Sequence, residues 1–150
     1  MSGTLPFLMV VLPILLALAV APCETSLKSV EALLQRNDVS QASSLLKSIA
    51  PECSQVSYFY ALTGVTGELS GEGDASEAAF RKAISLDPRS ARLKEQLGAA
   101  YLRNGKPKEA AEILREATAL DPNNSTAKKY LIGACAGTNS WKEAAALLIR

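Results

Sequence analysis

The chain has 150 residues, enough for one compact domain and little else. Its 16 Lys or Arg against 15 Asp or Glu argue against a nucleic-acid-binding protein, which normally carries a marked basic excess or a basic stripe. Because the sequence contains no histidine, it excludes Ser-His-Asp and Cys-His nucleophile pairs, histidine general bases and histidine metal ligands.

The first segment, residues 1–22, contains no charged side chain, and residues 5–21 are almost wholly apolar. The segment includes an Ala-x-Ala pattern that ends at Ala19, which is typical of a signal peptide cleavage site. The apolar run is at the lower limit of length for a membrane-spanning helix. We therefore expect a cleaved signal peptide and a secreted or periplasmic protein. The alternatives are a retained membrane anchor or a wrongly assigned start, and all three place residues 1–22 outside the folded domain.

After the leader, apolar residues recur with helical spacing in segments that are separated by polar breaks. Asn104-Gly105 favours a helix stop, and Pro107 fits the first turn of the next helix, where its missing N–H costs nothing. Asp38 and Gln41 have the spacing of a capping box. The predicted helices lie near 24–36, 39–49, 55–70, 74–86, 90–104, 107–119, 125–137 and 141–150. The pattern predicts an all-α chain.

The helical segments repeat with a period of 34 residues. Leu86-Asp87-Pro88 returns as Leu120-Asp121-Pro122. One column of the period holds the small residues Ala42, Ser76, Ala110 and Ala144, and another holds the bulky apolar residues Leu46, Phe80, Leu114 and Leu148. A period of this size indicates stacked helix pairs, none of which can bury its apolar face alone.

These residues resemble the tetratricopeptide repeat family. The best match spans 91–124, where the signature positions hold Leu97-Gly98, Tyr101, Gly105, Ala110, Leu114, Ala117 and Pro122. The resemblance implies an all-α solenoid, a right-handed superhelix of about four antiparallel helix pairs over residues 23–150. The units would be about 23–56, 57–90, 91–124 and 125–150, of which the first and last match less well.

Two of the three cysteines lie at the ends of the first predicted helix pair. Cys23 starts the first helix, and Cys53 follows the second. In an antiparallel pair these ends are neighbours, so the two thiols could meet within disulfide distance in an oxidising compartment. The alternative is two unrelated thiols. Cys135 occupies the column of Tyr101, so we expect it to be buried and inert.

The sequence offers no set of residues suited to catalysis, to a cofactor or to a metal. The cysteines are too widely spaced for a zinc knuckle. The glycine-rich stretch from Gly64 to Gly73 is not followed by the Lys-Ser or Lys-Thr of a phosphate-binding loop. We therefore predict a protein that is not an enzyme and uses no cofactor or metal.

In the family that the chain resembles, the first helix of each pair lines a concave groove that receives a peptide or a partner helix. The resemblance thus implies a non-catalytic adaptor or scaffold outside the cytosol, with a protein or peptide partner and no nucleic acid. Membrane contact would come only through a retained anchor. The candidate partner-binding residues are Tyr58, Leu62, Arg92, Gln96, Arg103, Lys129 and Tyr130. For the charged and polar ones, the alternative is a merely solvated surface.

The last predicted helix is apolar over residues 144–149, and no polar capping helix follows it. Repeat arrays usually need such a cap. One interpretation is that the repeat array continues beyond this helix. The other is that the uncovered face joins another subunit. The alternative function is then that of a structural module that oligomerises through this face. We expect Trp141 to pack back on the preceding helix rather than to anchor a partner.

Overall fold

The computed structural model describes residues 23–149, and all regular secondary structure in that range is helical. The predicted leader, 1–22, lies outside the described residues, so its assignment stays a prediction. The helices are α1 (residues 23–35), α2 (Val39–Cys53), α3 (Ser57–Leu69), α4 (Gly73–Leu86), α5 (Ala91–Arg103), α6 (Pro107–Leu120), α7 (Ser125–Gly137) and α8 (Trp141–Ile149). They form antiparallel pairs that stack as an α-solenoid, which confirms the predicted fold class.

The turn inside each pair contains one residue with left-handed backbone conformation, always at the same position of the period. These residues are Asn37 (φ 59°), Gly71 (φ 77°), Gly105 (φ 70°) and Asn139 (φ 59°). Glycine and asparagine adopt this conformation more readily than other residues, and it lets the chain end one helix and start the next within a short turn. The sequence pattern predicts all four breaks, but it assigns a helix stop of this kind only to Asn104-Gly105.

Side-chain caps and one proline explain several helix starts. The carboxylate of Asp38 accepts a hydrogen bond from the backbone N–H of Gln41, as its spacing predicts. Ser90 caps α5, and Asn124 caps α7, in the same way. Pro107 lies in the first turn of α6. These caps satisfy backbone donors that would otherwise have no partner.

The predicted end of α2 at residue 49 is wrong, because the helix continues through Pro51 to Cys53. A proline in a helix interior removes one backbone hydrogen bond and its ring crowds the carbonyl four residues earlier, so continuation of the helix past Pro51 needs a compensating interaction. Ile49 and Cys53 are both buried on the core side of α2. Their burial favours the continued helix over an early end.

Within the second and third pairs, the inner helix carries a glycine opposite a bulky apolar residue of the outer helix. A Cβ atom at Gly64 would lie 2.7 Å from the ring of Phe80, and one at Gly98 would lie 2.4 Å from Cγ of Leu114. The glycines therefore make room for two fully buried side chains. This close approach explains why these two units combine a glycine on the inner helix with a bulky apolar residue on the outer helix.

Ser76 is fully buried, and its Oγ atom has no hydrogen-bond partner within residues 23–149. The other pairs carry alanine at this position. A buried hydroxyl without a partner costs stability. We expect Ser76→Ala to raise the free energy of unfolding by about 1 kcal/mol in urea titrations.

The matched control for this prediction is the reverse change at the same position of the next unit. Ala110→Ser should lower the free energy of unfolding by about 1 kcal/mol or more, because it buries a new hydroxyl. A Ser76→Ala protein that is less stable than the wild type would show that the hydroxyl has a partner.

Glu77 of α4 holds the turn between α5 and α6. Its carboxylate accepts hydrogen bonds from the Asn104 side chain at 2.6 Å and from Nζ of Lys106 at 2.8 Å. Burial by itself would raise the pKa of Glu77, but these hydrogen bonds and the charge of Lys106 outweigh it, so the pKa lies below its ordinary value. The carboxylate thus contributes to the contact between the second and third pairs.

The lowered pKa of Glu77 predicts a pH dependence of stability. The folded chain binds fewer protons at this site than the unfolded chain, so the contribution is present above the ordinary pKa of 4.5 and is lost as pH falls through the lower folded pKa. We expect the loss of unfolding free energy at acidic pH to be smaller in Glu77→Gln than in the wild type, as measured by urea titrations at several pH values. Glu109→Gln, at an exposed position of α6, is the control for the exchange of a carboxylate for an amide.

Candidate partner-binding groove

A concave cavity of about 350 Å³ lies between the inner helices α1, α3 and α5. We call it the groove cavity, and its size is within the range of ligand-binding pockets in proteins. Its apolar lining consists of Leu34, Ala61, Leu62, Val65 and Leu93. Its polar lining consists of Glu31, Gln35, Ser57, Tyr58, Asp87, Ser90, Arg92 and Gln96.

Helical spacing explains why these side chains line one cavity. Tyr58, Leu62 and Val65 lie on one face of α3, because residues separated by three or four positions are neighbours on a helix surface. Arg92 and Gln96 are related in the same way on α5. The two helices therefore present an apolar floor with polar groups at its edge.

Tyr58 connects α3 to α1 across the groove cavity. Its hydroxyl donates a hydrogen bond to the carboxylate of Glu31. Burial, this hydrogen bond and the negative charge of Glu31 raise the pKa of Tyr58 to about 12, against a smaller opposing effect of Arg92. The hydroxyl therefore stays protonated at neutral pH, and it remains a hydrogen-bond donor to Glu31.

The predicted groove residues do not all line the groove cavity. Tyr58, Leu62, Arg92 and Gln96 do. Arg103 instead lines a second cavity of about 210 Å³, where it forms an ion pair with Glu68. Lys129 and Tyr130 belong to α7 and line neither cavity, and Tyr130 packs against the main apolar core. A role of any of these residues in partner binding stays a prediction.

Carboxylates connect each inner helix to the next. Glu31 accepts from Tyr58, Glu68 forms its ion pair with Arg103, and Glu95 accepts a hydrogen bond from Asn124 at the start of α7. The polar groups of Tyr58 and Arg103 are thus already engaged inside the protein.

Arg92 and Gln96 differ from these engaged residues. Within residues 23–149, no hydrogen bond or ion pair involves either side chain. In the described part of the chain, the polar groups of these two residues at the groove cavity are therefore free to contact a partner.

The predicted groove residues do not include any from α1, which supplies Glu31, Leu34 and Gln35 to the groove cavity. The first unit matches the repeat pattern weakly, so the pattern alone does not point to its residues. A signal was present, because a step of 34 residues back from Val65 of α3 leads to Glu31.

The cysteines fall into two groups in the structure. Cys23 and Cys53 form a disulfide with their Cα atoms 5.6 Å apart, and both are buried. Cys135 is a buried free thiol. Burial raises the pKa of the Cys135 thiol, and the nearby carboxylate of Glu143 raises it further. A protonated, buried thiol is a poor nucleophile.

The last helix, α8, presents an apolar surface to solvent. Trp141 is 62% exposed, Leu148 73% and Ile149 86%. The expected packing of Trp141 on the preceding helix is therefore wrong. One unit earlier, Pro107 at the same position lies beside Gly137 of the following helix, α7, whereas no helix follows α8 in the described chain.

Residues 23–149 contain no group of three or more histidine, cysteine, aspartate or glutamate side chains that could hold a metal ion. In the same range, no helix has the length and apolar character needed to cross a membrane.

Two models of the tetratricopeptide repeat match the chain, one over residues 69–125 and the other over residues 101–150. Together they cover the second half of the chain and part of the first. No curated protein sequence matches the chain.

Solved structures of similar fold include MamA, with 22% identity, a TM-score of 0.77, and coverage of 83% of this chain and 68% of that one. The Yersinia enterocolitica type III secretion chaperone SycD, in complex with a peptide of the translocator YopD, has 16% identity and a TM-score of 0.67, over 81% of this chain and 93% of that one. An O-GlcNAc transferase of Thermobaculum terrenum has 20% identity and a TM-score of 0.72, over 78% of this chain and only 22% of the enzyme. At these identities the similarity shows a shared fold.

Proposed function

Because the chain belongs to the tetratricopeptide repeat family, we propose that it is a non-catalytic protein-interaction module that binds a peptide or a partner helix in its concave groove. The observation that carries the proposal is the groove cavity, whose apolar floor is bordered by Arg92 and Gln96, and neither side chain forms a hydrogen bond or an ion pair within residues 23–149. The complex of SycD, a protein of the same fold, with a peptide supports a ligand of this kind.

The lining of the groove cavity suggests the chemistry of the partner. An apolar side chain of the partner would enter between Leu34, Leu62 and Leu93, where it would remove apolar surface from water. Arg92 and Gln96 would contact polar groups of the partner backbone or of a neighbouring side chain. An amphipathic helix or an extended peptide with one apolar anchor can present both features.

The proposed location is outside the cytosol, as a secreted or periplasmic protein or, alternatively, a membrane-anchored one. The apolar leader at 1–22 and the disulfide between Cys23 and Cys53 support this location, because disulfides persist mainly in oxidising compartments. The proposal assigns no catalytic residue, cofactor or metal.

The test begins with a displayed library of random 12-residue peptides selected on the immobilised full chain. We expect Arg92→Ala to weaken binding of the selected peptides about tenfold, because a hydrogen bond to a charged group is lost. Gln96→Ala should have a smaller effect in the same direction. Affinities would be measured by isothermal titration calorimetry.

Lys108→Ala is the matched control, because Lys108 is exposed on the outer helix α6. It should leave the affinities unchanged. A library that yields no binder, or binders that tolerate both groove variants, would count against the proposal.

A second candidate function is self-assembly through α8, with a second copy of the chain as the occupant. The exposed side chains of Trp141, Leu148 and Ile149 favour it, since large apolar groups gathered on one helix face often mark an interface. Sedimentation velocity at several concentrations tests it. Self-assembly predicts a dimer or larger species that Trp141→Ser shifts toward monomer, whereas a wild-type chain that stays monomeric at all concentrations would exclude it.

A further inference from the structure

The disulfide lies at the open end of the first helix pair. Cys23 is the first described residue of α1, and Cys53 is the last residue of α2. Their exposed fractions are 1% and 0%, so the bond is enclosed by the apolar cluster of this pair. A covalent link therefore holds the start of α1 against the end of α2.

The helix that this bond holds has neighbours on one side only within residues 23–149. The apolar cluster around α1 contains residues of α1, α2 and α3. On the opposite side, Glu24 and Lys28 are exposed and form an ion pair with each other. Terminal elements of repeat proteins have fewer stabilising interfaces than internal ones, and they open at a lower free-energy cost.

The same helix forms one wall of the groove cavity. Glu31, Leu34 and Gln35 of α1 face the cavity, and Glu31 accepts the hydrogen bond from Tyr58 of α3. Leu27 and Val30, on the core side of α1, are buried in the cluster that also surrounds Cys23 and Cys53. If the start of α1 separates from α2, this wall moves with it.

We propose that oxidation of Cys23 and Cys53 assembles the groove, because the disulfide fixes α1 as its wall, and that reduction opens this wall while α3 to α8 stay folded. This inference rests on the proposed peptide-binding function. In the oxidation, the two thiols lose two protons and two electrons as the S–S bond forms. The electrons reduce the disulfide of a protein thiol–disulfide oxidant, which leaves with two thiols. In the reduction, a dithiol reductant supplies two electrons and two protons by thiol–disulfide exchange and leaves as a disulfide.

The test compares the oxidised full chain with Cys23→Ala/Cys53→Ala and with the wild type reduced by dithiothreitol. Amide hydrogen exchange reports the order of α1 without any ligand. For a disulfide that spans 30 residues, we expect the protection of residues 27–35 to fall by roughly 100-fold or more, while α5 and α6 keep theirs. Cys135→Ala, which keeps the disulfide, is the control for removal of a thiol.

The second readout is the affinity of the library-selected peptide that binds the oxidised chain most tightly. We expect it to fall at least tenfold in the double variant and in the reduced wild type. Unchanged protection of α1 would overturn the inference, and so would an equal loss of protection in α5 and α6, because the bond would then stabilise the whole domain. Loss of α1 protection with unchanged peptide affinity would overturn the link to binding.

The two proposals fail in different ways. A library without binders contradicts the proposed function, yet the exchange pattern of α1 still decides whether the disulfide holds the wall. Binders whose affinity does not depend on the disulfide support the function and contradict this inference.

Discussion

Replacing Leu114 with alanine is expected to lower the free energy of unfolding by about 3–5 kcal/mol, the upper part of the range for leucine in a protein core. Leu114 is fully buried in the main apolar cluster, where it packs against Gly98 of α5. The backbone around Leu114 cannot move into the cavity that the truncation leaves without disturbing the packing of α5 against α6. Urea unfolding monitored by far-ultraviolet circular dichroism measures the effect.

Leu148→Ala is the matched control, because the two residues occupy the same position of the period and the substitution is identical. Leu148 is 73% exposed, so its replacement should change the free energy of unfolding by less than about 0.5 kcal/mol. A large loss in this variant would mean that α8 is covered in solution, by a second copy or by another part of the chain. A small loss in Leu114→Ala would contradict the packing of the third pair.

The different burial of Leu114 and Leu148 shows which part of the fold the sequence could predict. The period places both residues on the inner face of an outer helix, and it predicts the helices and their pairing from local spacing and caps. Leu114 is buried because its own inner helix and the following pair cover it. No following pair is present for Leu148 in the described residues, and a local pattern contains no information about such coverage.

The groove cavity shows the same limit of prediction from the sequence. The period predicts which residues lie on inner helices, and Arg92 and Gln96 do line the groove cavity. It does not predict that Arg103 reaches back to Glu68, because that ion pair depends on how one helix pair is rotated against the next. The sequence shows which side chains can form hydrogen bonds or ion pairs. The residues with which they form them depend on how the helix pairs stack.

Gly98→Ala is expected to lower the free energy of unfolding by about 1–3 kcal/mol, although alanine favours helices more than glycine does. The added Cβ would lie 2.4 Å from Cγ and 2.6 Å from Cδ2 of Leu114. Cγ is the branch point of the leucine side chain, so a simple rotation of its end does not relieve the overlap. The two helices must move apart, and they lose packing along the pair.

Gly133→Ala provides the comparison at a helical glycine with open space around it. Apart from its chain neighbours and the backbone of its own helix, no atom of residues 23–149 lies within 4 Å of its added Cβ. This variant should gain about 0.5–1 kcal/mol of unfolding free energy, because alanine loses less backbone entropy on forming a helix. Opposite signs for the two substitutions are the expected result, and they would be measured by the same urea titrations. Equal gains would show that Gly98 has no packing role.

A double variant separates steric overlap from helix propensity at Gly98. In a Leu114→Ala background, the methyl group that Gly98→Ala adds no longer meets the leucine side chain and enters the space that the truncation leaves. The cost of Gly98→Ala should therefore disappear or become a gain, with a coupling of about 1–3 kcal/mol between the two sites. Additive effects would instead place the cost of Gly98→Ala in the backbone of α5. The close approach of α5 and α6 would then not explain why position 98 is a glycine.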